Sequence, residues 1–348
     1  MYLKTPLYEF LKSQNAIYQN YEEFLYELPS HFGSPELEQN KMEQSCVWID
    51  FSYYGHLKLK GKHAQDFLNR MSTNDLKKLN TKEYATTVLT NEKGRIVDLI
   101  TVYLQGDGIV VTTSPQNQEH VVKWFEKYIM MDDVHIADLS GKMIQLGIIG
   151  PKSAEALFTI TKKEAPEFGR FIEGTYEGFE FLAAPSPQLD LGFVLIADAS
   201  AAEPLWHCIK TLGIGWCGME TYLAQRIHQK KPIFRRELTE KYNPLEAGLI
   251  NAVSFSKGCY IGQEVIARLD SYNKIQKHLV RLMSDEPVPL NSKIIADTKE
   301  IGITTSSSYS YSKMKNIALG YVKTEFTDTN LPISIVTPEK SISAEFCS

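Results

Sequence analysis

The order of strand and helix patterns in the first half of the chain is the feature that most limits its fold. A strand pattern at 47–61 is followed by a helical pattern at 62–71, three strands within 84–114, and a helix at 115–130. Strands mixed with helices in this order predict an α+β unit, a sheet covered by helices on one face.

The mixture of strand and helix patterns occurs once more in the second half and is then replaced by short strands. Strand and helix patterns recur between 143 and 213, which predicts a second α+β unit. From 277 onward, short strands alternate with turn-rich pieces, as in a small β-barrel or sandwich. The first 45 residues are predicted to be polar helical material with a loop at 31–36.

We therefore predict two regions. Residues 1–275 would hold two interleaved α+β domains around a central cleft, with roughly 47–140 as one unit, and 276–348 would form the C-terminal barrel. A length of 348 residues is enough for such an arrangement.

The charge balance and the cysteines exclude several classes of protein. A net charge of −5 argues against broad nucleic-acid binding, which needs a basic face. The five cysteines form no CxxC and no zinc-finger spacing, so reduced thiols in the cytoplasm are expected. Neither a signal peptide nor a membrane-spanning apolar run is predicted.

One cysteine lies in an unusual setting, in 257-KGCYIGQEVIARL-269. Gly258 and Gly262 flank Cys259, and a helical pattern begins after Gly262. A helix N-terminus and the nearby Lys257 would both favour the thiolate. That thiolate could act as nucleophile, redox group or transient metal ligand; the alternative is a small buried hydrophobic residue. The motif comprises Lys257, Gly258, Cys259, Tyr260, Gly262, Gln263 and Glu264.

Three further features could carry chemistry. Asp98 lies inside an apolar strand, where a carboxylate is costly unless it is paired or protonated, and the alternative is a side chain that points to water. His228 could line a site or lie on the surface. The basic stretch 226–249 is either a solvated connector or the anion-facing wall of a cleft.

The cysteine motif resembles that of the YgfZ-type folate-binding proteins, relatives of the glycine cleavage T-protein, an aminomethyltransferase. Weaker matches follow in the family's order along the chain. They are 5-TPLYEF-10, 67-FLNRMSTNDL-76, 90-TNEKGRIVDLITVY-103, 150-GPKSAEAL-157, 243-NPLEAGL-249 and 317-IALGYV-322.

This resemblance implies a clover-like arrangement of three parts around a folate cleft, with tetrahydrofolate as ligand. It implies a protein that is not a classical enzyme and that assists iron–sulfur cluster assembly or repair in client enzymes, tRNA-modifying ones included. Cys259 and Asp98 would be its reactive groups, and the chain would be a monomer. The cofactor-binding residues would be Asp98, His228, Glu237 and Lys257.

Departures from the family pattern keep two alternatives open. Aminomethyltransferases carry an acid where this chain has Cys259, but Asp98 matches an acid that they place near the reactive folate nitrogen. His228 stands where relatives carry a pterin-binding glutamate, so Glu237 or Glu246 would have to substitute. The alternatives are an aminomethyltransferase and a scaffold that has lost folate.

Overall fold

A computed structural model describes residues 1–272, 274–327, 331–338 and 340–347. Its N-terminal segment is a β-hairpin between two helices, whereas helical material with a loop at 31–36 was predicted for residues 1–45. The elements are α1 (Tyr8–Lys12), β1 (Ile17–Tyr21), β2 (Tyr26–His31) and α2 (Pro35–Gln44). The hairpin was missed because β1 is mostly exposed and polar, so it lacks a clear apolar alternation. Ser34 caps α2, and Pro35 begins its first turn.

The first sheet is antiparallel, with the order β5-β6-β7-β4-β8. Helix α4 begins three residues after the predicted start at Pro115. The elements of this part are β3 (Val47–Asp50), β4 (Gly55–Lys60), α3 (Ala64–Met71), β5 (Tyr84–Thr90), β6 (Ile96–Gln105), β7 (Gly108–Thr113), α4 (Gln118–Glu126) and β8 (His135–Asp138).

The second sheet is also antiparallel, with the order β10-β11-β12-β9-β3. Strand β3 pairs with β9 here, so the unit predicted at 47–140 contributes its first strand to the other sheet. The hairpin β10–β11 was not predicted. The elements are β9 (Met143–Ile149), α5 (Ser153–Thr161), β10 (Ile172–Tyr176), β11 (Phe179–Pro185), β12 (Gly192–Asp198), α6 (Ala202–Thr211) and α7 (Met219–His228).

The C-terminal strands close into a barrel in the order β13-β16-β15-β14-β17-β18, which confirms the barrel and excludes a sandwich. Its interior is apolar and includes Leu282, Ile294 and Ile335. The last elements are α8 (Gln263–Ser271), β13 (Lys277–Ser284), β14 (Lys293–Ala296), β15 (Lys299–Ser310), β16 (Lys315–Lys323), β17 (Ile333–Val336) and β18 (Ser341–Cys347).

Helix α7 connects the N-terminal segment with the barrel. It packs against α2 and β2 of the N-terminal segment and against β15 and β16 of the barrel. The segment 226–249, predicted to be a loop-rich connector, thus starts as the last turn of this helix and continues mainly as turns. In the part of the chain that is described, no helix is long and apolar enough to cross a membrane.

Candidate functional site

Strand β6 places Asp98 in the protein interior, where its side chain is fully buried. The carboxylate accepts hydrogen bonds from the backbone N–H groups of Leu99, at 2.9 Å, and Ser114, at 3.1 Å. Burial raises the pKa of Asp98 to about 6, and the hydrogen bonds from Ser114, Asn117 and Leu99 limit that rise. A carboxyl group with this pKa can gain or lose a proton near neutral pH.

Aromatic side chains lie near this acid. Phe51 packs edge-on against Tyr54, at 6.1 Å between ring centroids, and against Tyr222, at 5.2 Å. Burial raises the pKa of the Tyr54 hydroxyl well above its usual value, with a further rise from Tyr222, an opposing effect from Arg226 and a smaller rise from Asp98. Tyr54 is therefore close enough to Asp98 and to Arg226 for both charges to act on its hydroxyl.

Arg226 and Glu237 form an ion pair with almost no exposure, at 2% and 0% for their side chains. The Arg226 guanidinium donates to Glu237 Oε2 at 3.2 Å and to the Ser306 hydroxyl on β15. The same carboxylate also accepts from Ile233 N at 3.0 Å, and from Thr305 and Ser306, each at 2.6 Å. Both carboxylate oxygens are thus already occupied by hydrogen bonds.

Two other residues predicted near the pterin are also occupied: His228, which stands at the family's glutamate position, and Glu246, a possible substitute acid. His228 Nε2 pairs with the Ser310 hydroxyl at 2.7 Å, and its pKa is lowered by burial and by the charges of Arg281 and Lys313. Glu246 is buried and accepts from Asn243 N at 3.1 Å and from Arg95 at 3.4 Å. These groups connect loops and helix α7 to their neighbours.

Lys257 is buried and reaches the loop between α3 and β5. Its ammonium donates to the backbone oxygens of Asn69, Ser72 and Asn74 at 2.6, 2.8 and 2.5 Å. Burial lowers the pKa of Lys257 to about 8. All three of these bonds go to carbonyl groups, so Lys257 fixes the segment 69–74. Lys257 was predicted to face Cys259, but none of these hydrogen bonds goes there.

The glycine-flanked segment is also attached to the turn before β6. The Thr90 hydroxyl donates to Ile261 O at 2.6 Å. Gly262 has a φ of +81°, and a Cβ there would lie 2.5 Å from Asn91 O. Only glycine fits such a position without displacing the turn. We call this segment, residues 257–262, the elbow.

Cys259 is exposed at the surface of the elbow, next to the buried Tyr260 and four residues before α8 begins at Gln263. A Cβ on the neighbouring Gly258 would meet nothing within 4 Å. Gln263 Nε2 reaches back to Lys257 O at 3.4 Å, and Glu264 is exposed in the first turn of α8. The thiol is therefore accessible on a segment with fixed attachments.

The remaining cysteines are less accessible. Cys46, Cys208 and Cys217 are buried and Cys347 is half-buried; all five are unpaired. No group of His, Cys, Asp or Glu side chains able to hold a metal ion occurs among the described residues.

The structure brings three sequence motifs together at the elbow: 69–76, 90–94 and 257–264. Among the described residues, no hydrogen bond joins Cys259 to Asp98 or to His228. Sequence reasoning missed Tyr54, Tyr222 and Arg226. Arg226 had been placed only at the start of the basic stretch 226–249, because no helix over 219–228 was predicted.

A polar cavity of about 540 Å³ separates the N-terminal hairpin from the barrel. Arg235 and Arg236 line it from the connector, and Glu22 and Glu23 from the hairpin. Arg236 pairs with Glu23 at 3.2 Å. The connector therefore lines a cleft, but acidic side chains share that cleft and one of them pairs with Arg236, so the anion-facing wall stays a prediction.

The two α+β sheets, the connector and the closed barrel define a three-part α+β protein with a buried acid and aromatic cluster at its centre. The family model for the GCVT N-terminal domain matches residues 7–257, and that for the glycine cleavage T-protein C-terminal barrel domain matches 277–348. The chain belongs to the glycine cleavage T-protein family.

Individual relatives agree with this assignment. A chloroplastic protein of Arabidopsis thaliana that carries a transferase name is 27% identical over 84% of this chain and 68% of its own length. The aminomethyltransferase of Thermoanaerobacter sp. (strain X514) is 28% identical over 98% of this chain and 95% of its own. The crystal structure of the glycine cleavage system aminomethyltransferase T from Bartonella henselae superposes with a TM-score of 0.88, at 18% identity, covering 100% of this chain and 97% of that one.

Proposed function

We propose that this protein is a YgfZ-type member of the family, which binds tetrahydrofolate and assists iron–sulfur cluster assembly or repair in client enzymes, tRNA-modifying ones among them. The observation that carries the proposal is the exposed Cys259 on an elbow attached through Lys257, Thr90 and Gly262. A thiol in this position is available to a protein partner, while its backbone is held in place.

The chemistry asked of Cys259 is ligand exchange. A deprotonated thiolate bonds to one iron of a cluster as another thiolate leaves that iron, so no electron is transferred. One thiol supplies one of the four ligands that a cluster usually has, so the client or an assembly factor must supply the others. The five unpaired cysteines suit a reducing compartment, which we take to be the cytoplasm.

Tetrahydrofolate is our proposed ligand for the central cluster. A pterin is flat and rich in hydrogen-bonding groups, and the rings of Tyr54 and Tyr222 with the acid Asp98 offer matching surfaces. The Arg226 Nε is a buried donor without a hydrogen-bond partner among the described residues, so this guanidinium has one donor left to satisfy. Bound folate would supply the one-carbon carrier nitrogen, and Asp98 would hold or exchange a proton beside it.

Complementation of a deletion strain tests the role of Cys259. We expect that Cys259→Ser fails to restore the activity of iron–sulfur enzymes, whereas Cys347→Ser, at the half-buried cysteine, restores it. Both variants must accumulate to wild-type levels. Full restoration by Cys259→Ser would remove the proposal.

An aminomethyltransferase is the second candidate, favoured by the buried Asp98 with a pKa of about 6. Such an enzyme would form methylene-tetrahydrofolate from an aminomethylated, lipoylated carrier protein. Product formation that Asp98→Asn abolishes would favour this candidate, and no product above background would exclude it. Calorimetric titration with tetrahydrofolate separates both from a scaffold that has lost folate, for which no binding is expected.

A further inference from the structure

A second cavity lies between α2 and the C-terminal end of α6, and neither Asp98 nor the elbow contributes to its lining. Its volume is about 450 Å³, within the range of small-molecule sites. The segment 213-GIG-215 forms one wall. This wall is fixed, because Gly215 O accepts from Trp48 N at 2.9 Å and Cys217 N donates to Trp48 O at 2.8 Å.

Aromatic rings form the floor of this cavity. Trp206 and Trp216 are stacked, with centroids 5.7 Å apart and an angle of 26° between the rings, and Phe32 lies 6.1 Å from Trp216. The two tryptophans are 7% and 8% exposed, so their positions are set by packing. A flat ring can lie against such a surface with little loss of side-chain entropy in the protein.

Two lysines and one glutamate line this cavity. Neither ammonium group, of Lys41 or of Lys210, forms an ion pair or a hydrogen bond among the described residues. The carboxylate in the wall, Glu38, is engaged elsewhere: it accepts from Phe32 N, from Gly218 N at 2.9 Å and from Thr221 Oγ1 at 3.1 Å. Two cations beside an acid already bound to the backbone favour an anionic ligand.

We propose that this cavity binds a small aromatic anion, a flat ring that carries a carboxylate or a phosphate. The ring would rest on Trp206, Trp216 and Phe32, and the negative group would lie between Lys41 and Lys210. The volume suits a molecule of one or two fused rings with a short polar arm. This site is separate from the folate cluster and does not depend on the role proposed for Cys259.

Paired probes test the proposal by calorimetric titration of the full chain. Adenosine 5′-monophosphate is compared with adenosine, and naphthalene-2-carboxylate with its carboxamide. We expect at least one anion to bind with a Kd below about 1 mM, and its neutral partner at least about tenfold more weakly. The phosphate and carboxylate arms distinguish the two sources of charge.

Variants then locate the binding. Lys41→Gln with Lys210→Gln should weaken binding about tenfold. The same change at two exposed lysines that do not line the cavity, Lys93→Gln with Lys299→Gln, should leave it unchanged. Gly215→Leu should abolish binding: a Cβ there makes only ordinary contacts, 3.5 Å from Lys41 Nζ, so the fold is kept while the cavity is filled.

Three results would overturn the proposal. They are no binding of either anion to the wild type, equal binding of an anion and its neutral partner, and binding that survives Gly215→Leu in a variant with wild-type circular dichroism.

Discussion

Two buried cations connect parts of this molecule in different ways. Arg226 on α7 is paired with the carboxylate of Glu237, and the pair bonds to β15 of the barrel through Ser306. The ammonium of Lys257 in the elbow donates to the carbonyl groups of Asn69, Ser72 and Asn74, at 2.5 to 2.8 Å, and lies over the Tyr260 ring, 5.2 Å from its centroid. No carboxylate among the described residues forms an ion pair with it.

The difference matters because a buried charge is costly without a partner of opposite sign. The Arg226 charge is neutralised where it lies, and guanidinium does not lose its proton in proteins. The Lys257 charge is held by carbonyl dipoles, the charge of Asp75 adds a smaller stabilisation, and burial lowers the pKa of Lys257 to about 8. The ion pair at Arg226 thus keeps its charge at every physiological pH, whereas Lys257 in the elbow can lose its proton near physiological pH.

The largest expected effect comes from breaking the ion pair at Arg226. Arg226→Met leaves the Glu237 carboxylate buried without its cation, which should lower the free energy of unfolding by about 3–5 kcal/mol. Equilibrium urea unfolding measures it. The control is Lys293→Met, which breaks an exposed barrel pair with Glu300 at 2.7 Å and should cost less than about 1 kcal/mol. Equal losses would mean that the buried pair contributes no more than a surface pair.

The pH dependence of stability should single out Lys257. Its pKa in the folded protein, about 8, lies below the usual 10.5 of the unfolded chain. Between these values the unfolded chain binds more protons, so stability should rise with pH, by about 3 kcal/mol at most. Below about pH 8 both states are charged and the dependence vanishes.

Unfolding of the wild type and Lys257→Met at about pH 7.5, 8.5 and 9.5 isolates this group, because other titrations cancel in the difference. The wild type should gain stability relative to the variant over this range. A difference that stays level or decreases would contradict the low pKa.

The attachment of the elbow at Gly262 should give a smaller loss. Gly262→Ala forces a side chain into a φ of +81° and against Asn91 O, which should cost about 2 kcal/mol. Gly258→Ala, four residues earlier in the same segment, meets nothing within 4 Å and should be nearly neutral. Alkylation of Cys259 in the native protein should change rate in the first variant only. The same rate in both would mean that the contact does not fix the elbow.

Much of the fold could be predicted from sequence periodicity. Strands such as β6 and β7 are long and apolar, and the turns between them contain glycine. The hairpins β1–β2 and β10–β11 could not, because their outer strands are half-exposed and carry no clear alternation. The pairing of β3 with β9 also escaped prediction, since partners about 100 residues apart leave no local signal.

The sequence indicated individual residues of the candidate site, but not the contacts that those residues make. An acid in an apolar strand indicated Asp98, and flanking glycines indicated Cys259. Which groups point at which is decided by side-chain packing, so the sequence could not show that Lys257 turns toward carbonyls or that Glu237 is occupied by Arg226. The proximity of the Tyr54 and Tyr222 rings could not be predicted, because it depends on how α7 packs in the folded chain.

The smallest expected effect is that of Lys257→Met at neutral pH. The variant loses three hydrogen bonds to carbonyls, but it also removes the cost of burying an ammonium group, and the two nearly offset each other. We expect a change in the free energy of unfolding of about 1 kcal/mol or less, against the 3–5 of Arg226→Met. The loss should instead be local: amides of residues 69–76 should exchange with deuterium faster, while those of β15 keep their protection. A global loss as large as that of Arg226→Met would show that the elbow cation is as essential to the fold as the central one, and the contrast between the two would fail.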